Sequence, residues 1–312
     1  METIIFLVLL TFSLFLVIRS TDFAIRYSSK LAESFHLSKY VVGFIIVAVI
    51  SILPEAFISI TSALDGIPSF GLGVLFGSNV ADLTLVFSLV VLVSGRNLKV
   101  ESKIIKNRFL YICMIFLPII LGLDGHYSKI EGLTLIIVGL LFFFYVLKDS
   151  RTEDDSKKGN FLAKDMILLI VSMAVLILGA NMTVKYGVDL ANNLHISPIL
   201  IGMFVVGLGT TLPELFFSIK AAKKNHDGLA LGDILGTVIA DATILVGIAA
   251  VINPFYFEPR IIYVTGFFML IAITLLLNFM KTGKKLTKKE AILLILFYLI
   301  FVTTELLIGF KG

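Results

Sequence analysis

Charge is scarce in this 312-residue chain: Asp, Glu, Lys and Arg make up 15% of it, against 58% hydrophobic residues. A soluble domain of this length could not hide that much apolar surface, which excludes a water-soluble globule and points to an integral membrane protein. The single cysteine, Cys113, lies in an apolar run, so disulfides and cysteine-built metal clusters are excluded. The first stretch, "METIIFLVLLTFSLFLVI", lacks a basic leading segment and a small-residue cleavage site. It reads as a first span and not as a signal peptide. The net charge of +4 is small and falls mostly in short loops, where membrane topology accounts for it without nucleic acid.

Apolar runs of spanning length recur along the whole chain. They predict about ten transmembrane helices, near 2–33, 39–64, 70–94, 106–123, 130–148, 162–193, 198–222, 228–251, 259–280 and 289–309. One sizeable polar linker, "KDSRTEDDSKKGNFLAKD", divides the chain. It sets a first half at 1–148, a linker at 149–161 and a second half at 162–312. Lys and Arg cluster in connections after odd-numbered spans, as in Arg96, Lys99, Lys103, Lys106 and Arg108, or Lys281, Lys284, Lys285, Lys288 and Lys289. The positive-inside rule then places both termini outside the plasma membrane and the linker in the cytoplasm.

A repeat runs through both halves. "LPEAFIS" at 53–59 returns as "LPELFFS" at 212–218, and Glu55 to Glu214 spans the same 159 residues as Asp82 to Asp241. At that interval, without gaps, Gly43 matches Gly202, Pro54 Pro213, Ser59 Ser218, Gly73 Gly232, Gly77 Gly236 and Thr84 Thr243. Five spans per half is an odd number, so the second copy enters the membrane from the opposite side. The expected fold is all-α, two inverted-topology repeats with motifs at 43–84 and 202–243, an arrangement characteristic of secondary transporters.

Four carboxylates, Glu55, Asp82, Glu214 and Asp241, fall near the middle of spans. Each would cost about 2.5–3.5 kcal/mol at a helix centre, and no Lys or Arg lies deep in the neighbouring spans to pair with it. Cations, protons or both must compensate. One helical turn before each carboxylate stands a hydroxyl: Ser51, Ser78, Thr210 and Thr237. Pro54 and Pro213 cannot donate backbone hydrogen bonds, so each is expected to kink its helix and loosen nearby carbonyls. Carboxylate, hydroxyl and carbonyl oxygens are what hard cations such as Ca²⁺ and Na⁺ prefer. Asp65, Asp124 and Asp227 read as loop residues and Glu305 as a span-end residue. Asp233, one turn before Thr237, matches Val74 in the first half and reads as an outer member of the site.

These stretches, "GLGTTLPELFFS" with "LGDILGTVIADATILVG" and "VISILPEAFIS" with "GVLFGSNVADLTLV", resemble the two α-repeats of the calcium/cation antiporter superfamily, prokaryotic sodium/calcium exchanger branch. The resemblance covers nearly the whole chain. It implies a Ca²⁺ site at Glu55 and Glu214 shared with Na⁺, sodium-site hydroxyls at Ser51, Thr210, Thr211, Ser78 and Thr237, and carbonyl ligands at Ala48 and Gly207. It further implies that the first and sixth spans slide against the other eight to alternate access, with no cofactor and a functional monomer in the lipid bilayer. The first half departs from the pattern: "ISILPE" stands where the second has "GTTLPE", and Asp82 replaces a common asparagine. Ile52 removes one sodium ligand and Asp82 adds a charge, which raises H⁺ or K⁺ as the coupling ion beside Na⁺. Two other classes fit parts of the pattern, an intramembrane aspartyl protease using Asp82 and Asp241 and a cation channel. The protease lacks a Gly-x-Gly-Asp motif, and its Asp pair is embedded in a duplication together with two glutamates.

Overall fold

The computed structural model describes residues 2–32, 52–149 and 163–309. They are nearly all helical: α1 (Glu2–Ala32), α2 (Leu53–Leu64), α3 (Pro68–Ser94), α4 (Arg108–Leu121), α5 (Lys129–Asp149), α6 (Ala163–Leu194), α7 (Pro198–Lys223), α8 (Asp227–Ile252), α9 (Ile262–Lys284) and α10 (Lys288–Gly309). Eight are long and apolar enough to cross a membrane, and α2 and α4 are shorter apolar helices. The first part of the second expected span and nearly all of the linker lie outside the described residues. The bundle is centred on α3 and α8, whose apolar windows are 89% and 83% buried, against 22% for α1 and 28% for α10. The outer helices keep Phe, Leu and Ile side chains exposed along their length, as a lipid-facing surface requires.

The halves repeat in detail that composition does not reveal. Both LPE segments open a helical segment, Leu53–Leu64 after Ile52 (φ −72°, ψ −2°) and Leu212–Lys223 after Thr211 (φ −75°, ψ −6°), and Thr211 is a one-residue break within α7. Both prolines stand in the first turn of the segment they open, where their missing N–H is no loss. Asp82–Val86 and Asp241–Leu245 are matching π-helical turns within α3 and α8. Reciprocal caps recur at the same interval: the Ser128 and Thr287 hydroxyls donate to Glu131 and Glu290 at 2.8 and 2.7 Å.

Two tiny antiparallel ladders mark the ends of the bundle. Leu98–Lys99 (β1), after α3, pairs with Lys285–Leu286 (β4), after α9. His126–Tyr127 (β2), after α4, pairs with Phe255–Tyr256 (β3), after α8. Connections after odd spans thus meet at one end and those after even spans at the other. Asp227, expected as a plain loop residue, is buried at the odd end. It accepts one hydrogen bond from each terminal nitrogen of the Arg96 guanidinium and another from the Lys99 N–H at 2.9 Å. Glu305, expected near a span end, is also buried and accepts from the Thr265 hydroxyl.

Glycines hold α3 against the first part of α7. A Cβ on Gly73 would lie 2.5 Å from the Ile199 carbonyl oxygen, on Gly77 2.5 Å from that of Met203, and on Gly202 2.6 Å from that of Phe70. Backbone meets backbone here, and no side chain can move aside. Gly77→Val should lower the thermal midpoint of the detergent-solubilised protein by several degrees, on the scale of about 1–3 kcal/mol for overpacking. Fluorescence-detected size-exclusion after heating measures it, and an unchanged midpoint would refute the packing.

Candidate cation-binding site

The glycine contact sets what stands at the centre. Gly207 packs on α3, where its added Cβ would lie 3.2 Å from the Ser78 nitrogen and the Val74 carbonyl. The α7 break and the LPE glutamate are thereby brought beside the middle of α3. Glu55, Glu214 and Asp241 are fully buried and Asp82 is 1% exposed. Their charges act on one another within and across the halves: Glu55 on its own half's Asp82, and both of these on Glu214 and Asp241 of the second half. Among the described residues no Lys, Arg or His is buried.

The hydroxyls engage the opposite half. Ser78 donates to the Leu75 carbonyl at 3.0 Å and lies 3.4 Å from the Asp241 carboxylate of the second half. Thr210 of the second half lies beside Glu55 of the first. Its proton goes to the Gly207 carbonyl at 3.0 Å, so Glu55 gains no donor from it. Spacing along the chain had put Ser78 with Asp82 and Thr210 with Glu214; the packing adds these cross-half neighbours. Thr211 sits at the α7 break and donates to the Leu208 carbonyl at 3.0 Å. The Gly207 carbonyl accepts the Thr211 N–H at 3.2 Å as well as the Thr210 hydroxyl. Thr237 is buried one turn before Asp241, and its carbonyl accepts the Asp241 N–H. Ser51 and Ala48 lie outside the described residues.

Both oxygens of Glu55 and of Glu214, with Asp82 Oδ1 and Asp241 Oδ1, are buried without a hydrogen-bond donor among the described residues. A buried ionised carboxylate left so is strongly unfavourable, and a hard cation or a proton is the remedy that fits. No three His, Cys, Asp or Glu side chains among the described residues are drawn tightly enough to hold a metal alone. A hard cation held here would need hydroxyl and carbonyl oxygens beside the carboxylates.

Two further groups belong to this setting. Asp233 is fully buried, accepts from the Ser218 hydroxyl at 3.2 Å, and adds its charge to those acting on Asp82 and Glu214. Its place was legible as an acid within a span, although the repeat offers no counterpart. Asn79, beside Ser78, is fully buried with both side-chain polar atoms unpartnered. A polar amide in mid-span was the available signal, and sequence reading passed over it. The π turns that begin at Asp82 and Asp241 had no sequence signal; such turns frequently mark functional sites.

Duplicated LPE helices with buried, donor-less carboxylates where the two halves meet define a membrane transporter of cations. The sequence profile of the sodium/calcium exchanger protein family matches residues 5–148 and again 164–307, and the chain belongs to that family. It is 24% identical over 348 residues to the sodium/calcium exchanger MaX1 of Methanosarcina acetivorans, covering 97% of this chain and 98% of that one. Inner membrane protein YrbG of Escherichia coli is 26% identical, with 80% and 81% covered. Among solved structures, the sodium-calcium exchanger NCX_Mj soaked with Na⁺ and Sr²⁺ superposes with a TM-score of 0.72 at 26% identity, covering 96% of this chain and 98% of that one. The protein is thus a multi-pass membrane antiporter of the exchanger type and not an enzyme.

Neutralising one of the crowded acids should stabilise the protein in the absence of metal ions. Asp82→Asn or Asp241→Asn is expected to raise the thermal midpoint measured in chelator, because one of several mutually repelling buried charges is removed. A lowered midpoint in both variants would show that the charges do not oppose one another.

Proposed function

We propose that this protein exchanges Ca²⁺ for a monovalent cation, Na⁺ first, by alternating access around the carboxylate site. The supporting observation is the set of buried carboxylate oxygens with no donor and no buried cationic side chain among the described residues. Glu55 and Glu214 would carry Ca²⁺, completed by the hydroxyls of Ser78, Thr210, Thr211 and Thr237, the Gly207 carbonyl and, from the undescribed segment, Ser51 and Ala48. Four carboxylates bear twice the charge of one Ca²⁺, so monovalent ions or protons must share the site even when Ca²⁺ is bound. Competition between one divalent and several monovalent charges for the same oxygens is the physical basis of exchange.

The first half favours a second reading of the coupling ion. Ile52, 6% exposed and packed in the apolar cluster, stands where Thr211 offers a hydroxyl. Asp82 and Asp241 supply charge that a proton can satisfy without a full oxygen shell, so H⁺, or K⁺ with its looser coordination, is the alternative partner. Alternating access is supported by the arrangement of α1 and α6. They pack together and, among the described residues, touch the rest of the bundle chiefly along α2 and α7. With every named site residue in one chain, a monomer suffices. The basic connections at the odd end support a plasma-membrane orientation with both termini outside and the 149–161 linker joining the halves in the cytoplasm.

Proteoliposomes loaded with Na⁺ should take up ⁴⁵Ca²⁺, and Glu55→Gln or Glu214→Gln should reduce that uptake at least about a hundredfold, as expected for loss of a buried charged ligand. Undiminished uptake in both would sink the assignment. Na⁺, K⁺ and H⁺ gradients imposed one at a time then identify the coupling ion: uptake driven by H⁺ alone would replace Na⁺ with protons.

A further inference from the structure

We propose that a groove between α1 and the second part of α7 binds the phosphate of an anionic phospholipid. The groove holds a cavity of about 340 Å³ whose lining includes Arg19, Arg26 and Lys220, against one carboxylate, Asp22. Asp22 meets Arg19 only loosely, at 3.9 Å between exposed side chains, so it does little to cancel the positive charge. Arg26 and Lys220 have no carboxylate partner among the described residues. Three convergent cations suit a phosphate, which guanidinium groups grip through paired N–H donors.

The apolar wall identifies the source of that phosphate. Phe23 and Phe216 line the same groove and are 48% and 52% exposed. Half-exposed rings beside a basic pocket suit acyl chains and would gain nothing from a soluble anion. The position along the helix agrees. The apolar window of α1 ends at Ser20, so Arg19 and Arg26 flank the level where hydrocarbon gives way to head groups. Lys220 lies in the last turn of its helix, towards the bundle end where Arg96 grips Asp227.

The repeat supplies an internal control. At the 159-residue interval Arg19 matches Leu178, Asp22 Asn181, Arg26 Lys185, Phe216 Phe57 and Lys220 Thr61. The corresponding face at the other end thus carries one cation in place of three, and that one, Lys185, lies 5.7 Å from the centre of the Tyr186 ring. The duplicated scaffold does not require these charges, and they stand at the end with the basic connections. An occupant would bridge α1 to the helix that carries Glu214.

Native mass spectrometry of the purified protein, titrated with phosphatidylglycerol, phosphatidylcholine or inorganic phosphate, tests this without any transport assay. Phosphatidylglycerol should bind at least about tenfold tighter than phosphatidylcholine, and Arg26→Gln or Lys220→Gln should each weaken it about fivefold, the effect of one cation near a head group. Lys185→Gln should change nothing. Equal retention in the Arg26 and Lys220 variants, or an equal loss in the Lys185 variant, overturns the site. Inorganic phosphate binding as tightly as the lipid would make it a soluble-anion site instead. Unchanged elution and unfolding temperature in phosphatidylcholine confirm that each variant is folded, and single variants keep the test available where a double variant fails.

Discussion

Negative charge placed in hydrocarbon without a positive side chain is the constraint on which this structure turns. Each of the four central acids would be costly alone, and together they repel. The surrounding elements address that problem. Broken helices bring backbone oxygens near, small residues let the helices approach, and buried hydroxyls give their protons to carbonyls while leaving lone pairs for an ion. Thr210 shows the principle: its proton is committed to Gly207, so beside Glu55 it offers an oxygen and no competing donor.

Close backbone packing makes that arrangement possible. In lipid, helices have no hydrophobic drive towards one another, and association rests on van der Waals contact and polar pairing. The contacts of Gly73, Gly77 and Gly202 with facing carbonyls hold α3 of one half against α7 of the other. The site is consequently an interface between repeats, with Ser78 and Asp241, or Thr210 and Glu55, facing each other from opposite halves. Asymmetry enters through side chains: Ile52 against Thr211, Val74 against Asp233, Leu178 against Arg19. Two copies of one backbone thereby present different chemistry at the two ends.

Much of the fold was legible in the sequence, because hydrocarbon thickness dictates the length of every apolar run and an odd number of spans per half dictates inversion. Among the described residues the helix positions followed from those two facts with only small shifts at the ends, the first part of the second span lying outside them. The four acids were legible for a related reason, since an ionised group in mid-span has no innocent place to go. Asp227 and Glu305 were harder to read. Whether an acid near a helix end is solvated or buried depends on what packs over it, here Arg96 in one case and Thr265 in the other.

By itself the sequence determined that the chain spans a membrane repeatedly, that it is duplicated, and that carboxylates and hydroxyls recur together within the spans. Those are properties of composition and interval, and both survive without coordinates. Only the tertiary structure decided which hydroxyl meets which carboxylate, that each proline falls in the first turn of the segment it opens, and that π turns begin at Asp82 and Asp241. It also decided that three cations from distant segments converge on one groove. The reason is geometric: partners 131 to 163 residues apart, such as Arg96 with Asp227 or Ser78 with Asp241, are chosen by how helices cross, which no local spacing records.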